Sequence, residues 1–389
     1  MADALDSLRL MRTQERPEQV FVRGQGSWLW DSDGRAFLDF TQGLAVNCLG
    51  HSPSVLVQAL ARQARELVSA GPCLLNRPVL ALAQRLCLAT GSDQAYFLTS
   101  GAEANEAAIA LARKWGRLHR GGAQRIVSTV NSIHGRTPGT LTACGKPAQH
   151  GLEGFARVPF NDLDAMDEET VAVMLEPVQG DAGVIPATLD YLRGIERLCR
   201  QRGVLLILDE VQTGIGRCGA LLAEELYGVR ADIVTLGKGL GAGVPLSALL
   251  ARGNACCFEP GDQLGTHHGN ALMTAAGLAV LNTVLEPGFL EQVREQGTHL
   301  RDGLARVARR YGHGPLRGQG LFWGLPLIGQ RAPAVVRAAF GEGLLINAPQ
   351  PHCLRFSPAL TVSRANVDEM LRRLERALAR VANRHEEVA

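Results

Sequence analysis

Short apolar runs alternate with longer amphipathic stretches through most of the chain. Residues 26–31 (GSWLWD) and 36–40 (AFLDF) flank Ser32-Asp33-Gly34, which predicts a hairpin closed by a tight turn. From about Val55 the apolar positions fall at helical spacing. A helix over 78–88 precedes a strand at 95–98, and a helix over 102–117 precedes a strand at 125–128. Further strands are predicted at 171–175, 204–208, 233–236 and 246–250. Helical segments separate most of them, 220–227 being one such connection. This alternation predicts an α/β fold built on a mostly parallel sheet.

Past Glu286-Pro287-Gly288 the pattern changes. It predicts a long helix over 289–310 and strands around 320–327, 344–347 and 353–356. A closing helix follows Ser363 as N-cap, with Val367, Met370, Leu371, Leu374 and Leu378 along one face. This second region reads as a smaller α+β domain to which the N-terminal hairpin returns. The expected division is 1–50 with the small domain, 51–285 as the large domain and 286–389 as the rest of the small one. A chain of 389 residues is long enough for two cores.

Composition narrows the classes. With 46% hydrophobic and 20% charged residues and no low-complexity tract, the chain is globular. The net charge of +2 and the scattered arginines give no footprint for nucleic acid. The first nineteen residues contain no apolar signal core, and no apolar run approaches the ~18 residues of a membrane helix. Nine cysteines without a CxxC pair read as reduced thiols, and the protein is expected in the cytoplasm.

Lysine is scarce: Lys114, Lys146 and Lys238 stand against 37 arginines. Lys238 sits in TLGKGLGAG, just after an apolar strand. A lysine amine can lose its proton and attack a carbonyl, which a guanidinium cannot do. Two further strand ends carry chemistry. LTSGAEAN (98–105) runs from strand into helix through small residues, a ready anion site at a helix N-terminus. VLLILDEVQTG (204–214) ends an apolar run in Asp209-Glu210, which could be a Walker B strand. Neither Lys238 nor Lys146 sits in the GxxxxGK[ST] sequence that an ATPase needs, so that reading fails. An acid and a lysine on one sheet edge, near a phosphate-binding helix start, fit pyridoxal phosphate instead. The lysine would hold the aldehyde as a Schiff base and Asp209 would keep the ring nitrogen protonated.

SGAEANEAAIALAR, IHGRT, LEPVQGDAGV, LDEVQTGIGR, TLGKGLGAGVPL, GTHHGN and LRFSPAL occur in this order. Together they resemble the class-III pyridoxal-phosphate-dependent aminotransferases, the acetylornithine/ornithine group above all, over nearly the whole chain. The resemblance implies fold type I and a homodimer with active sites at the subunit interface. Lys238 and Asp209 would be the catalytic pair. Gln212 would lie by the ring oxygen, and Val211 and Ile133 against the ring faces. Gly101 and Ala102 would bind the phosphate through backbone N–H groups, joined by Thr266 of the neighbouring subunit. Arg136 would hold the substrate's distal carboxylate, and Arg355 the α-carboxylate of glutamate and 2-oxoglutarate, with Asp181 in the position of the acid that masks it while the acylated donor is bound. The implied reaction moves the terminal amino group of N-acetylornithine to 2-oxoglutarate in arginine biosynthesis. Succinylornithine, ornithine and 4-aminobutyrate are alternative donors. An aminomutase, a decarboxylase or a binding protein without turnover would use the same cofactor set.

The chain departs from the family pattern at four places. Ile133 replaces an aromatic residue over the cofactor, giving up roughly 0.5–1.5 kcal/mol of stacking. Asp181 replaces a glutamate and, one methylene shorter, is expected to reach Arg355 only weakly or through water. Gly265 replaces a serine or threonine, and His267-His268 replaces an aromatic-glycine pair. Two adjacent histidines without a third ligand in sequence do not make a metal site, and none is expected.

Overall fold

The computed structural model describes residues 9–11, 13–145, 152–162 and 169–386. A seven-stranded sheet forms its centre, in the order Gln94–Leu98, Ser247–Ala251, Ile233–Leu236, Leu205–Asp209, Thr170–Leu175, Arg125–Thr129 and Phe155–Val158. Only Ser247–Ala251 runs against its neighbours; every other adjacent pair is parallel. The strands Thr170–Leu175, Leu205–Asp209, Ile233–Leu236 and Ser247–Ala251 are buried at every position. That is why they read as continuous apolar runs rather than alternating ones. Ile207 and Met174 point to a core shared with Ala104, Ala108 and Leu111 of the helix Gly101–His119. Leu206 and Val173 point the other way, to Leu192 and Ile195 of the helix Leu189–Arg202.

The N-terminal hairpin forms as predicted, with Trp28–Asp31 antiparallel to Ala36–Asp39 and a further strand, Phe21–Gln25, on its outer edge. Its inner edge pairs with the distant segment Leu344–Leu345, Leu38 lying beside Leu344. A second four-stranded sheet joins Arg317–Gln319, Phe322–Pro326, Cys353–Phe356 and Asn347–Gln350. The helices Phe289–Arg310 and Arg364–Glu386 pack against one another beside them.

The structure corrects the sequence reading in the connection before Lys238. Residues 220–227 were expected to be helical, but only Glu224–Tyr227 are. The N–H groups of Ala223 and Glu224 donate instead to the buried Glu210 carboxylate, at 2.6 and 2.8 Å. Burial, with the nearby charge of Glu224, pushes that carboxyl up to about 8. No single helix among the described residues is long and apolar enough to cross a membrane. All nine cysteines are free thiols.

Candidate active site

The carboxyl ends of the parallel strands converge, and residues just past them build one cavity of about 180 Å³. Its lining includes Ile133, Glu176, Asp181, Asp209, Val211, Gln212, Lys238 and Arg355. Lys238 opens a turn directly after Ile233–Leu236 and adopts a left-handed backbone, φ 41°. The Cys48 thiol donates to the Gly239 carbonyl at 3.1 Å and braces that turn. Burial first, and then the Arg355 guanidinium, hold the Lys238 amine below its ordinary range, although Asp181, Asp209 and Glu176 oppose them. Of the other two lysines, Lys114 pairs with Glu259 and Asp262, and Lys146 lies outside the described residues.

Asp209 is held from three sides. Its Oδ2 accepts from Asn105 Nδ2 and His134 Nδ1, both at 2.7 Å, and its Oδ1 accepts from Val211 N at 3.0 Å. Asn105 is fixed in turn, donating to the His134 carbonyl and accepting from Thr235 Oγ1 at 2.6 Å. A carboxylate accepts only, so His134 carries its proton on Nδ1. The sequence reading gave Asn105, His134 and Glu176 no role. Asn105 lay in the quoted SGAEAN motif, but nothing along the chain shows that its side chain meets residue 209.

The helix Gly101–His119 begins with a capping box. Ser100 Oγ accepts from Glu103 N, and the Glu103 carboxylate accepts from Ser100 N. First-turn N–H groups such as those of Gly101 and Ala102 have no acceptor within a helix. Gly101 is packed so closely that an added Cβ would stand 2.6 Å from Val211 Cγ1. Gly135, at φ 150°, passes equally close to Ala102, where a Cβ would stand 2.8 Å from the alanine's own. Glycine at both positions therefore keeps the helix start, Val211 and the 133–136 loop against one space. The cavity, lined by Ile133, Val211 and Asp209 but not by Gly101 or Ala102, suits a group with a flat apolar body and a basic nitrogen toward Asp209, and the nearby helix start suits an anionic end. Pyridoxal phosphate has those parts.

Asp181 differs from its expectation. Arg355 Nη1 donates directly to Asp181 Oδ1 at 2.6 Å, with no bridging water needed. The Asp181 backbone is tied to the same sheet, Gln350 Nε2 donating to its carbonyl at 2.8 Å. Arg355 is steadied by Asn347 Oδ1 at 3.3 Å. Burial works to raise the Asp181 carboxyl, but the charge and hydrogen bond of Arg355, with the charges of Lys238 and Arg136, together hold the acid below its ordinary range. Arg136 is exposed and does not line the cavity, although its charge acts on Asp181. Thr266 is exposed as well, outside the cavity of its own chain. Gly265 has a local cause, because a Cβ there would stand 2.3 Å from the His268 ring. The Tyr96 hydroxyl holds that ring at 2.5 Å.

Comparison with known proteins agrees with this geometry. The sequence model of the class-III aminotransferases matches residues 11–378. Acetylornithine aminotransferase 2 of Bordetella bronchiseptica is 48% identical over 96% of this chain and 97% of its own. The crystal structure of N-acetylornithine aminotransferase from Stenotrophomonas maltophilia K279a superposes with a TM-score of 0.85. It is 36% identical and covers 95% of this chain and 97% of that one. Ornithine aminotransferase from Toxoplasma gondii ME49 superposes with a TM-score of 0.92 at 27% identity, covering 97% of this chain and 94% of that one. The chain belongs to the class-III aminotransferases, the pyridoxal-phosphate-dependent enzymes of fold type I.

Proposed function

We propose that this enzyme transfers the terminal amino group of N2-acetyl-L-ornithine to 2-oxoglutarate, giving N-acetylglutamate 5-semialdehyde and glutamate, a step of arginine biosynthesis. The observation that carries the reading is one cavity holding a half-buried lysine, a triply hydrogen-bonded aspartate and an arginine already paired with an acid. Relatives named for acetylornithine support the choice of donor. Bound pyridoxal phosphate supplies an electrophilic carbonyl and an electron sink. The chain supplies the rest. Lys238 is the nucleophile that holds the cofactor and the base that carries a proton between substrate and cofactor carbons. Asp209 keeps the ring nitrogen protonated, and its three donors fix its direction. Gln212 lies by the ring oxygen, Ile133 and Val211 cover the ring faces, and the N–H groups of Gly101 and Ala102 take the phosphate.

Arg136 binds the carboxylate of the acylated donor. Arg355 binds the α-carboxylate of glutamate and 2-oxoglutarate once Asp181 releases it. The exposure of Thr266, outside its own Lys238 cavity, supports a homodimer in which it reaches the partner's phosphate. Nine free thiols support a cytoplasmic enzyme. A panel of amino donors with 2-oxoglutarate, scored for glutamate, tests the reading. N-acetylornithine should give the highest kcat/KM, ahead of succinylornithine, ornithine and 4-aminobutyrate. A preference for free ornithine or 4-aminobutyrate would overturn the choice of donor, and normal turnover by Lys238→Ala would overturn the mechanism.

A further inference from the structure

The roles above leave one buried acid in the cavity unused. Glu176 follows the strand Thr170–Leu175 and is 4% exposed. It lines the cavity with Asp181, Asp209, Lys238 and Arg355, the charged groups that surround it. Three carboxylates in so small a desolvated space cannot all ionise without large cost. Their partners differ. Asp209 accepts three hydrogen bonds, and Asp181 faces a guanidinium. Among the described residues Glu176 accepts one neutral hydrogen bond, from Ile133 N to Oε1 at 2.9 Å. The acid with the least compensation is the one that keeps its proton.

Ile133 is also the residue that gives up aromatic stacking, so its cover over the ring depends on where its backbone is held. We propose that Glu176 is a positioning residue of the transamination site, acting as a neutral carboxylic acid that anchors Ile133 over the cofactor without adding a third negative charge beside Lys238. Burial and then the charge of Asp209 act in the same sense, raising its carboxyl well above the carboxylate range. The part of this inference that concerns the cofactor rests on the function proposed above; the protonation state does not.

Two measurements on the full chain test it. Infrared difference spectra of the cofactor-free protein at neutral pH should show the carbonyl stretch of a protonated carboxylic acid that is lost in Glu176→Gln. The second measurement is pyridoxal phosphate affinity. Glu176→Gln, which is neutral and the same length, should bind within about twofold of the parent. Glu176→Asp, too short to reach Ile133 N, should bind roughly five- to tenfold more weakly, the scale of one lost hydrogen bond. A spectrum unchanged by Glu176→Gln would overturn the neutral acid. Equal losses of affinity in the Gln and Asp variants would overturn the anchoring role. If the protein bound no pyridoxal phosphate at all, the function would fail while the infrared result still decided the protonation state.

Discussion

At the scale of single residues, environment rather than residue type separates the lysines. Burial and Arg355 lower the Lys238 amine, while the hydrogen bonds that Lys114 donates to Asp262 and then Glu259 raise it. Amine-directed labelling of the cofactor-free protein, followed by mass spectrometry, should modify Lys238 with a pH midpoint below that of Lys114. The sign follows directly: a lowered amine is unprotonated, and nucleophilic, at a lower pH. Arg355→Ala should move the Lys238 midpoint up, toward that of an ordinary lysine, because it removes the neighbouring positive charge. Gly265 makes a second prediction at this scale. Its missing side chain and His268 compete for one volume, and Tyr96 keeps the ring from yielding. Gly265→Ser should cost about 1–3 kcal/mol in chemical denaturation. His268→Gly should recover most of that cost in the double variant, a coupling that independent sites would not show.

At the scale of elements, the least regular segment does the most positioning. Gln42, Gly43, Leu44 and Ala45 all have left-handed backbones, with φ of 47°, 64°, 64° and 70°. Three of the four are not glycine, and each such residue costs roughly 1–2 kcal/mol, so the fold must hold the turn. Asp39 does so: Oδ1 accepts from Thr41 N, Thr41 Oγ1 and Gln42 N, and Oδ2 pairs with His51 Nε2 at 2.9 Å. The turn sets Leu44 at the cavity wall. Asp39→Ala should therefore destabilise by about 2–4 kcal/mol, from several lost hydrogen bonds and a freed turn. Leu44→Gly should leave Tm unchanged or raise it while raising the KM for the amino donor. A fall in Tm for Leu44→Gly would mean that the leucine packs rather than strains. None of this was legible in GLAVN, because a left-handed run leaves no apolar period. The buried strands were legible, since both of their faces are apolar, and so were Lys238 and Asp209, which end such strands. The pair Val178–Gln179 and Ile185–Pro186 was not, at two residues each, and neither was Phe155–Val158, an edge strand whose apolar run Arg157 interrupts. The connection at 220–227 misled because Leu221, Leu222 and Ala223 are buried as a helix face would be, while a side-chain carboxylate replaces the helical acceptors.

At the scale of the whole molecule, the pair Asp181–Arg355 joins two parts of the chain that the sequence holds far apart. Asp181 lies between the short paired strands that follow the central strand Thr170–Leu175, and Arg355 lies on Cys353–Phe356 of the C-terminal sheet. Exposure differs across the pair, at 5% for the Arg355 side chain and 38% for Asp181. The arginine is thus the fixed, desolvated partner and the acid the one with room to leave. This asymmetry suits an enzyme that takes two substrates in one site. On the proposed roles, Asp181 would neutralise, with the acylated donor bound, a guanidinium that otherwise faces an apolar chain at high cost. With 2-oxoglutarate bound, the substrate carboxylate would take its place. Because the Asp181–Arg355 contact is already direct, Asp181→Glu should change little. Removing the mask is different. Asp181→Asn leaves the arginine unpaired, so it should favour α-carboxylate substrates and slow the donor half-reaction relative to the other. Arg355→Ala should slow the half-reaction with 2-oxoglutarate by at least about tenfold, the cost of a lost charge-assisted hydrogen bond, and spare the donor half. Stopped-flow traces of each half-reaction separate these outcomes. Equal slowing of both halves in Arg355→Ala, with no effect of Asp181→Asn, would show that the pair braces the two sheets together and takes no part in exchanging substrates.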